Sequence, residues 1–121
     1  MKVGYVVLYV QDEKQSLEFW TKKVGMIVKK SQEAAGFQIT RVGFKDQDFS
    51  FELVPLKLME NNPDGLNLGI PSICFTAPDL VALHTQLKSN GVKVTDIANH
   101  FGTDSFAFSD SEDHYFAAIQ E

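Results

Sequence analysis

The sequence has one cysteine, no long apolar run and fewer basic than acidic residues. A lone Cys74 cannot form an intrachain disulfide or a cysteine-cluster metal site, and its isolation suits a reducing compartment. No apolar run approaches the roughly 18 residues that a membrane-spanning helix needs. With 11 Lys and Arg against 16 Asp and Glu, the net charge is −5 and no basic cluster appears. Membrane insertion and nucleic-acid binding are therefore not expected.

We expect no secretory signal at the start of the chain. Met1-Lys2 runs directly into an alternating apolar stretch, without a small-residue cleavage site. We therefore expect a cytoplasmic protein. Its 121 residues, 44% hydrophobic and 22% charged, fit one globular domain. The acidic balance favours a neutral or cationic small molecule as partner.

Strand and helix patterns alternate along the first half. Residues 4–10 are rich in β-branched and aromatic types and predict a strand. A helix follows, capped by Asp12 and ended by Gly25, with its apolar face formed by Leu17, Trp20 and Val24. Three more strands are predicted at residues 26–30, 37–44 and 49–55, with turns at Gly36 and at residues 45–48.

The same order recurs after a connector, residues 56–71, which holds the turn sequence Asn62-Pro63-Asp64-Gly65. A strand at 72–77 leads to a helix capped by Asp79 and closed by Asn90-Gly91. Strands are then predicted at residues 92–95, 103–109 and 115–120. The capping aspartates are 79 − 12 = 67 positions apart and the closing glycines 91 − 25 = 66. This spacing predicts a duplicated unit.

We therefore predict an α+β fold in which two βαβββ modules form a cupped mixed sheet with helices on its convex face. One domain would span residues 1–121, with module one at about 1–55, the connector at 56–71 and module two at about 72–121. Alternation places Val6, Leu8 and Val10 under the first helix, and Tyr5, Val7 and Tyr9 opposite. In the second half it places Ser72, Cys74 and Thr76 opposite the helix. Such a polar and aromatic face suits a ligand cleft.

Three motifs resemble a known family. They are Tyr5-Val-Val-Leu-Tyr-Val-Gln-Asp12, then Ser16-Leu-Glu-Phe-Trp20 with Val24-Gly-Met26, and finally Phe106-Ala-Phe-Ser-Asp110-Ser-Glu-Asp-His114. Their order is similar to that of the vicinal-oxygen-chelate superfamily, the glyoxalase, bleomycin-resistance and extradiol dioxygenase group, over nearly the whole chain. Members with a metal hold it with His and Glu side chains from the first and fourth strands of each half.

The resemblance carries over only one of those four ligands. The positions correspond here to Tyr5, Glu52, Ser72 and Ala117. Only Glu52 is a usual ligand, and catalytic metal sites need about three protein ligands. The resemblance thus indicates the metal-free branch, with no cofactor, whose bleomycin-resistance-type members bind a compound and keep it from its target.

Each candidate site residue also has a purely structural interpretation. Tyr5 and Tyr9 could stack on a ligand or pack within the protein. Glu52 could pair with a cationic ligand, act as a base, or be a solvated strand residue. Ser72 could donate a hydrogen bond or only make room, as Ala117 would. Cys74 is expected to be a buried, inert thiol.

The remaining candidates lie near the last strands or in the core. Asn99-His100-Phe101 is predicted as a loop that could close over the cleft. His100 and His114 could approach each other as a surface metal or proton-relay pair, whereas His84 is expected to be a partly exposed helix residue. Aromatic residues expected in the core are Trp20, Phe51 and Phe116, and those expected to be freer for a ligand are Phe37 and Phe101.

Three functions follow from these residues. The leading hypothesis is metal-independent binding of a small, partly apolar molecule by Tyr5, Tyr9, Glu52, Ser72, Phe101 and Ala117. The alternative is a lyase, isomerase or dioxygenase-type enzyme that uses Glu52. A third is a subunit whose polar sheet face serves self-association. A homodimer is expected, with the pairing of its halves, within or between chains, left open.

Overall fold

A computed structural model describes all 121 residues of the chain. Two compact units, Met1–Ile70 and Pro71–Glu121, each contain four strands and one α-helix. The first unit is built from β1 (Val6–Val10), α1 (Glu13–Glu18), β2 (Ile27–Ala34), β3 (Phe37–Gly43) and β4 (Phe51–Pro55). The second is built from β5 (Cys74–Ala77), α2 (Leu80–Ser89), β6 (Ala98–His100), β7 (Thr103–Ser109) and β8 (Tyr115–Gln120). The predicted α+β class and its two βαβββ modules are confirmed.

The two sheets have the same topology. Their strand orders are β1-β4-β3-β2 and β5-β8-β7-β6. In each, the first strand pairs in parallel with the fourth, and the other neighbours are antiparallel. The strand that precedes the helix, β1 or β5, therefore lies at one edge of its sheet. The fourth strand of the unit, β4 or β8, lies beside it. No helix in the structure is long and apolar enough to cross a lipid bilayer.

Both helices begin at the predicted aspartates. Oδ1 of Asp12 accepts a hydrogen bond from the Gln15 amide and Oδ1 of Asp79 one from the Ala82 amide, each at 3.0 Å. Each bond satisfies an amide that has no partner inside the helix. The first helix differs from the prediction in its second half, where residues Phe19–Lys23 form a wider π-helical turn. This turn buries both Phe19 and Trp20, so the expected core position of Trp20 is confirmed.

The side of each sheet that its helix covers, the helix face, is apolar. In the first unit Leu8, Val10, Phe51 and Leu53 are at most 1% exposed. The ring of Trp20 lies 5.0 Å from that of Phe51, which joins the helix to the sheet. The faces predicted for β1 and the core position of Phe51 are therefore confirmed.

The second unit builds its helix face mainly from phenylalanine. Phe106, Phe108 and Phe116 are each at most 3% exposed, and the rings of Phe108 and Phe116 stack at 5.7 Å. Leu80 and Leu87 of α2 are buried as well. The ring of His84 packs edge-on against Phe106 at 4.9 Å, so this half-buried histidine is part of the helix–sheet contact.

The sixth strand is not where the sequence predicts it. Residues 92–95 form only an isolated bridge, Val94 to Phe108, and β6 lies at Ala98–His100. The hydroxyl of Thr95 accepts a hydrogen bond from the Ala107 amide at 2.8 Å, and Nε2 of His84 donates to the Thr95 carbonyl at 2.9 Å. A side chain and a helix residue therefore take the place of regular ladder partners at this point.

The turns follow the sequence closely, whereas β2 is longer than predicted. The Gly65 amide donates to the Asn62 carbonyl at 3.0 Å, which closes the turn in the connector. Ala35 and Gly36 both have positive φ and form the tight turn between β2 and β3. β2 continues to Ala34 because it stays paired with β3 as far as Phe37. The added residues are mostly polar and exposed, so no apolar alternation marks them as a strand in the sequence.

Candidate functional site

The side of the first sheet away from its helix, the distal face, carries the predicted tyrosines and Glu52. Pairing in register places Val7 beside Glu52 and Tyr9 beside Val54. Tyr5 precedes β1 and is 38% exposed. Strand β3 contributes alternate residues to the same face: Phe37, Ile39 and Arg41. This face is therefore aromatic, partly apolar and charged.

The charged part of the face is an ion pair that the sequence analysis did not predict. Nε of Arg41 donates to Oε2 of Glu52 at 2.8 Å. The guanidinium carbon of Arg41 also lies 3.8 Å from the centre of the Tyr5 ring, which is cation–π geometry. Tyr5, Arg41 and Glu52, here called the anchor cluster, thus form one connected group. The carboxylate that was predicted to pair with a cationic ligand already has a cationic partner within the protein.

The environment of the guanidinium keeps it charged. The hydrogen bond that Glu52 accepts raises the pKa of Arg41, and burial acts in the opposite direction. The charge of Glu52 and the hydrogen-bonded Tyr5 side chain raise this pKa further. Arg41 is the only arginine in the sequence. Two features of the sequence could have identified Arg41 as a site residue. It is unique in the chain, and it lies on the predicted strand that directly precedes the strand of Glu52.

A second basic residue lies next to the anchor cluster. Lys30 of the edge strand β2 pairs directly with Arg41, after a register shift between Val28 and Lys30. Residues paired across an antiparallel ladder have Cβ atoms about 4.5–5.5 Å apart and on the same face. The row across the sheet therefore reads Lys30, Arg41, Glu52 and Val7, with two positive charges and one negative.

The distal face of the second sheet is small and neutral. Cys74 pairs with Ala117, and Ala117 with Ala107. Ser72 precedes β5 and is exposed. Cys74 is exposed too, so the prediction of a buried thiol is wrong. Its side chain projects from the face opposite α2, where only small residues lie beside it.

The structure corrects the interpretation of the loop and the histidines. Asn99 and His100 belong to β6, so only Phe101 and Gly102 form the tip of the β6–β7 hairpin. Phe101 has φ of 54° and is fully exposed. His100 pairs with Thr103 at the start of β7.

His114 lies beyond the other end of the same strand. Its Nδ1 is 3.3 Å from Oδ2 of Asp110, a buried carboxylate whose other oxygen accepts the amides of Glu112 and His114. The length of β7, roughly 20 Å at about 3.3 Å per residue, separates His100 from His114. The hypothesis that they form a metal or relay pair is wrong.

The residues of neither unit fit a divalent metal. In the first unit Glu52 is engaged by Arg41, and Tyr5 lies against the same guanidinium. In the second unit Ser72 and Ala117 offer no ligand of the usual kind. Within neither unit do three His, Cys, Asp or Glu side chains come together as a metal site requires.

Comparison with known proteins decides the family. The model of the glyoxalase/bleomycin resistance protein/dioxygenase superfamily matches residues 2–117. The chain belongs to this superfamily. The resemblance inferred from the motifs is thereby confirmed over nearly the whole sequence.

Proteins similar to this chain include an uncharacterized sequence relative and, by fold alone, a binding protein and an enzyme. The chain is 30% identical over 115 residues to the uncharacterized protein YurT of Bacillus subtilis (strain 168), covering 91% of each. Its fold matches TnmS3, an antibiotic binding protein from Streptomyces sp. CB03234, with a TM-score of 0.82 at 21% identity over 99% of this chain and 95% of that one. It also matches a lactoylglutathione lyase from Agrobacterium tumefaciens, with a TM-score of 0.73 at 16% identity over 98% and 92%. At such identities the structural matches establish the fold alone.

Proposed function

We propose that this superfamily member binds a small, partly apolar molecule on the distal faces of its sheets, without a metal. In the first unit Tyr5, Tyr9 and Glu52 would contribute to the site, with Arg41 added. In the second unit Ser72 and Ala117, with Phe101 at the hairpin tip, would contribute to binding on that unit's own sheet. The same fold occurs in TnmS3, an antibiotic binding protein, which supports a binding role.

The ion pair between Arg41 and Glu52 is the observation that carries this proposal. Glu52 is the one family ligand position that holds a carboxylate, and its side chain is only 12% exposed. A metal ion at this carboxylate would have to displace the guanidinium or lie beside its positive charge. Both arrangements are unfavourable, which supports binding without a metal.

The same ion pair disfavours Glu52 as a general base. A base must take up a proton, and a protonated Glu52 would lose its charge-assisted hydrogen bond with Arg41. The carboxylate would also have to turn away from Nε, which it now contacts at 2.8 Å. Proton abstraction would require the Arg41–Glu52 ion pair to break, whereas ligand binding can leave it intact.

A thermal-shift screen over metabolites and antibiotics tests the proposal. A ligand at about 100 times its dissociation constant adds roughly 2.7 kcal/mol of stability. We expect at least one partly apolar compound to raise the melting temperature of the wild type. Tyr9→Leu, on the distal face, should reduce that shift, whereas Val81→Ser, on the exposed side of α2, should leave it unchanged.

Metal analysis of the untagged protein provides the second readout. We expect no stoichiometric divalent ion after purification, and the thermal shifts should persist in the presence of a chelator. A tightly held ion at one per chain contradicts metal independence. A screen without any shift, or a shift that Tyr9→Leu does not alter, contradicts binding at this face.

A further inference from the structure

Arg41 has N–H donors that are not paired with a carboxylate of the protein. A guanidinium carries five N–H donors in a planar fork. Glu52 contacts only Nε, so the outer edge, formed by the two terminal amino groups, has no carboxylate opposite it. Arg41 makes no other ion pair in the structure. Tyr5 adds a side-chain hydrogen bond, and the remaining N–H donors of the guanidinium have no carboxylate partner.

Exposure distinguishes the two charged groups of the anchor cluster. The Arg41 side chain is 28% exposed and that of Glu52 only 12%. Tyr5 covers one face of the guanidinium at 3.8 Å. An arriving molecule therefore meets the edge of Arg41 before it can reach Glu52. In this arrangement Glu52 is a positioning residue, because it orients the guanidinium from the inner side.

The neighbouring lysine gives this part of the face a positive balance. Lys30 pairs directly with Arg41 and makes no ion pair with a carboxylate. Like charges placed opposite each other destabilise a sheet. An anion bound at the edge of Arg41 would relieve that repulsion and bring the local charge of Lys30, Arg41 and Glu52 to zero.

The surroundings of the cluster suit a flat apolar group. Tyr9 and Ile39 lie on the same face and are half-buried. Aromatic and aliphatic side chains of this kind bind planar rings, while a small number of polar groups fix the orientation. The apolar surface and the open guanidinium edge are thus available to one molecule.

We propose that Arg41 anchors an organic anion, a molecule with a carboxylate or an equally acidic oxygen attached to a flat apolar ring. The acidic oxygens would accept hydrogen bonds from the terminal amino groups of Arg41 in the bidentate geometry that arginine favours. This inference rests on the proposed binding function. It replaces the cationic ligand that the acidic composition suggested, because local charge outweighs net charge at contact distance.

Three probes with one ring system and different charges test the inference. They are 2-naphthoate, 2-naphthalenemethanol and 2-naphthylmethylamine, which is cationic at neutral pH. Their dissociation constants are measured by calorimetry with the full chain at low and at physiological salt. We expect the wild type to bind 2-naphthoate about tenfold or more tightly than the cationic probe.

Variants of the cluster then assign the preference to Arg41. Arg41→Met should weaken 2-naphthoate about tenfold and strengthen the cationic probe, because Glu52 loses its partner. Arg41→Lys keeps the charge without the planar fork and should give an intermediate loss. Lys30→Met should weaken 2-naphthoate about two- to threefold, whereas Lys88→Met, an exposed helix lysine in the second unit, is the matched control and should change nothing.

Circular dichroism of each variant tests whether it is folded. If Arg41→Met is not, the double variant Arg41→Met/Glu52→Gln removes both charges and should leave no more than the roughly two- to threefold preference for 2-naphthoate that Lys30 supplies. A wild type that binds the cationic probe as tightly as 2-naphthoate, or that does not bind 2-naphthoate at millimolar concentration, overturns the inference. A positive thermal-shift screen that responds to Tyr9→Leu would in that case leave the proposed function standing.

Discussion

The row Val7, Glu52 and Arg41 in the first sheet and the row Cys74, Ala117 and Ala107 in the second occupy equivalent register positions. Their separations are 74 − 7 = 67, 117 − 52 = 65 and 107 − 41 = 66 residues. One row carries an ion pair, and the other has only small neutral side chains. The distal faces of the two units have therefore diverged in charge, size and aromatic content.

The helix faces of the same sheets have diverged far less. Phe51 and Phe116 are 116 − 51 = 65 residues apart, and each is at most 1% exposed. Leu53 and Ala118, with the same separation, are both 0% exposed. A helix face must exclude water and fill its volume, which restricts it to apolar residues. A distal face has no such requirement, so its residues can serve binding.

Removing the matched phenylalanines is expected to have the largest effect on stability. Phe51→Ala and Phe116→Ala should each lower the free energy of unfolding by about 3–5 kcal/mol, because a large buried ring is replaced by a cavity. Chemical denaturation measures the loss. Phe101→Ala, at a fully exposed site, is the control and should change stability by less than about 0.5 kcal/mol. A large loss in only one unit would break the equivalence of the helix faces.

A smaller effect is expected where the two units differ at the ends of β3 and β7. A Cβ atom on Gly43 would meet the backbone carbonyl oxygen of Phe49, whereas the equivalent position, 43 + 66 = 109, holds the buried Ser109. Gly43→Ser should therefore cost about 1–3 kcal/mol, because the backbone must move to admit the side chain. Ser109→Gly, which relieves no clash, is the comparison. Equal tolerance of serine at both positions would contradict the close approach.

The smallest expected effect depends on pH. Burial raises the pKa of Glu13 above its ordinary value near 4.5, Asp12 adds to this, and the hydrogen bond from Thr40 opposes it. The folded state thus binds the proton more tightly, so stability should fall as pH rises from about 4.5 through the raised value. In the second unit the equivalent pair, Leu80 and Phe106, is apolar (80 − 13 = 67; 106 − 40 = 66).

Glu13→Gln should remove this decline and stabilise the protein at pH 7 by roughly a few tenths of a kcal/mol, since solvent screens a carboxyl group that is only partly buried. Urea denaturation at pH 4 to 8 measures it. Glu33→Gln on the exposed edge strand is the control and should leave the pH profile unchanged. If Glu13→Gln does not alter the pH profile of stability, the polar pair in the first unit has no effect that distinguishes it from the apolar pair in the second.

Local patterns were sufficient to predict most of the fold. The strands 103–109 and 115–120, both capping aspartates and the turn at Asn62–Gly65 were predicted as they occur. Each depends on residues close in sequence, through alternation, capping or turn chemistry. The failure at residues 92–95 has a different cause. There the Thr95 hydroxyl and the ring of His84 take backbone partners, and that competition depends on where α2 packs.

The candidate site was predicted less completely for a similar reason. Glu52 was identified from its position in the family pattern, but its partner lies 11 residues away on the neighbouring strand. The pairing depends on the register of β3 against β4, and a shift of one residue would place Arg41 on the helix face. Sequence alternation alone does not fix that register.

The presence of a single arginine makes the anchor cluster directly observable. A chain labelled with ¹⁵N only in arginine has one guanidinium Nε–H group, and its proton points at the carboxylate of Glu52. One side-chain resonance, protected from solvent exchange by that bond, therefore reports on the whole cluster. Its frequency and exchange rate give a titration curve for any added compound without assignment of the remaining spectrum.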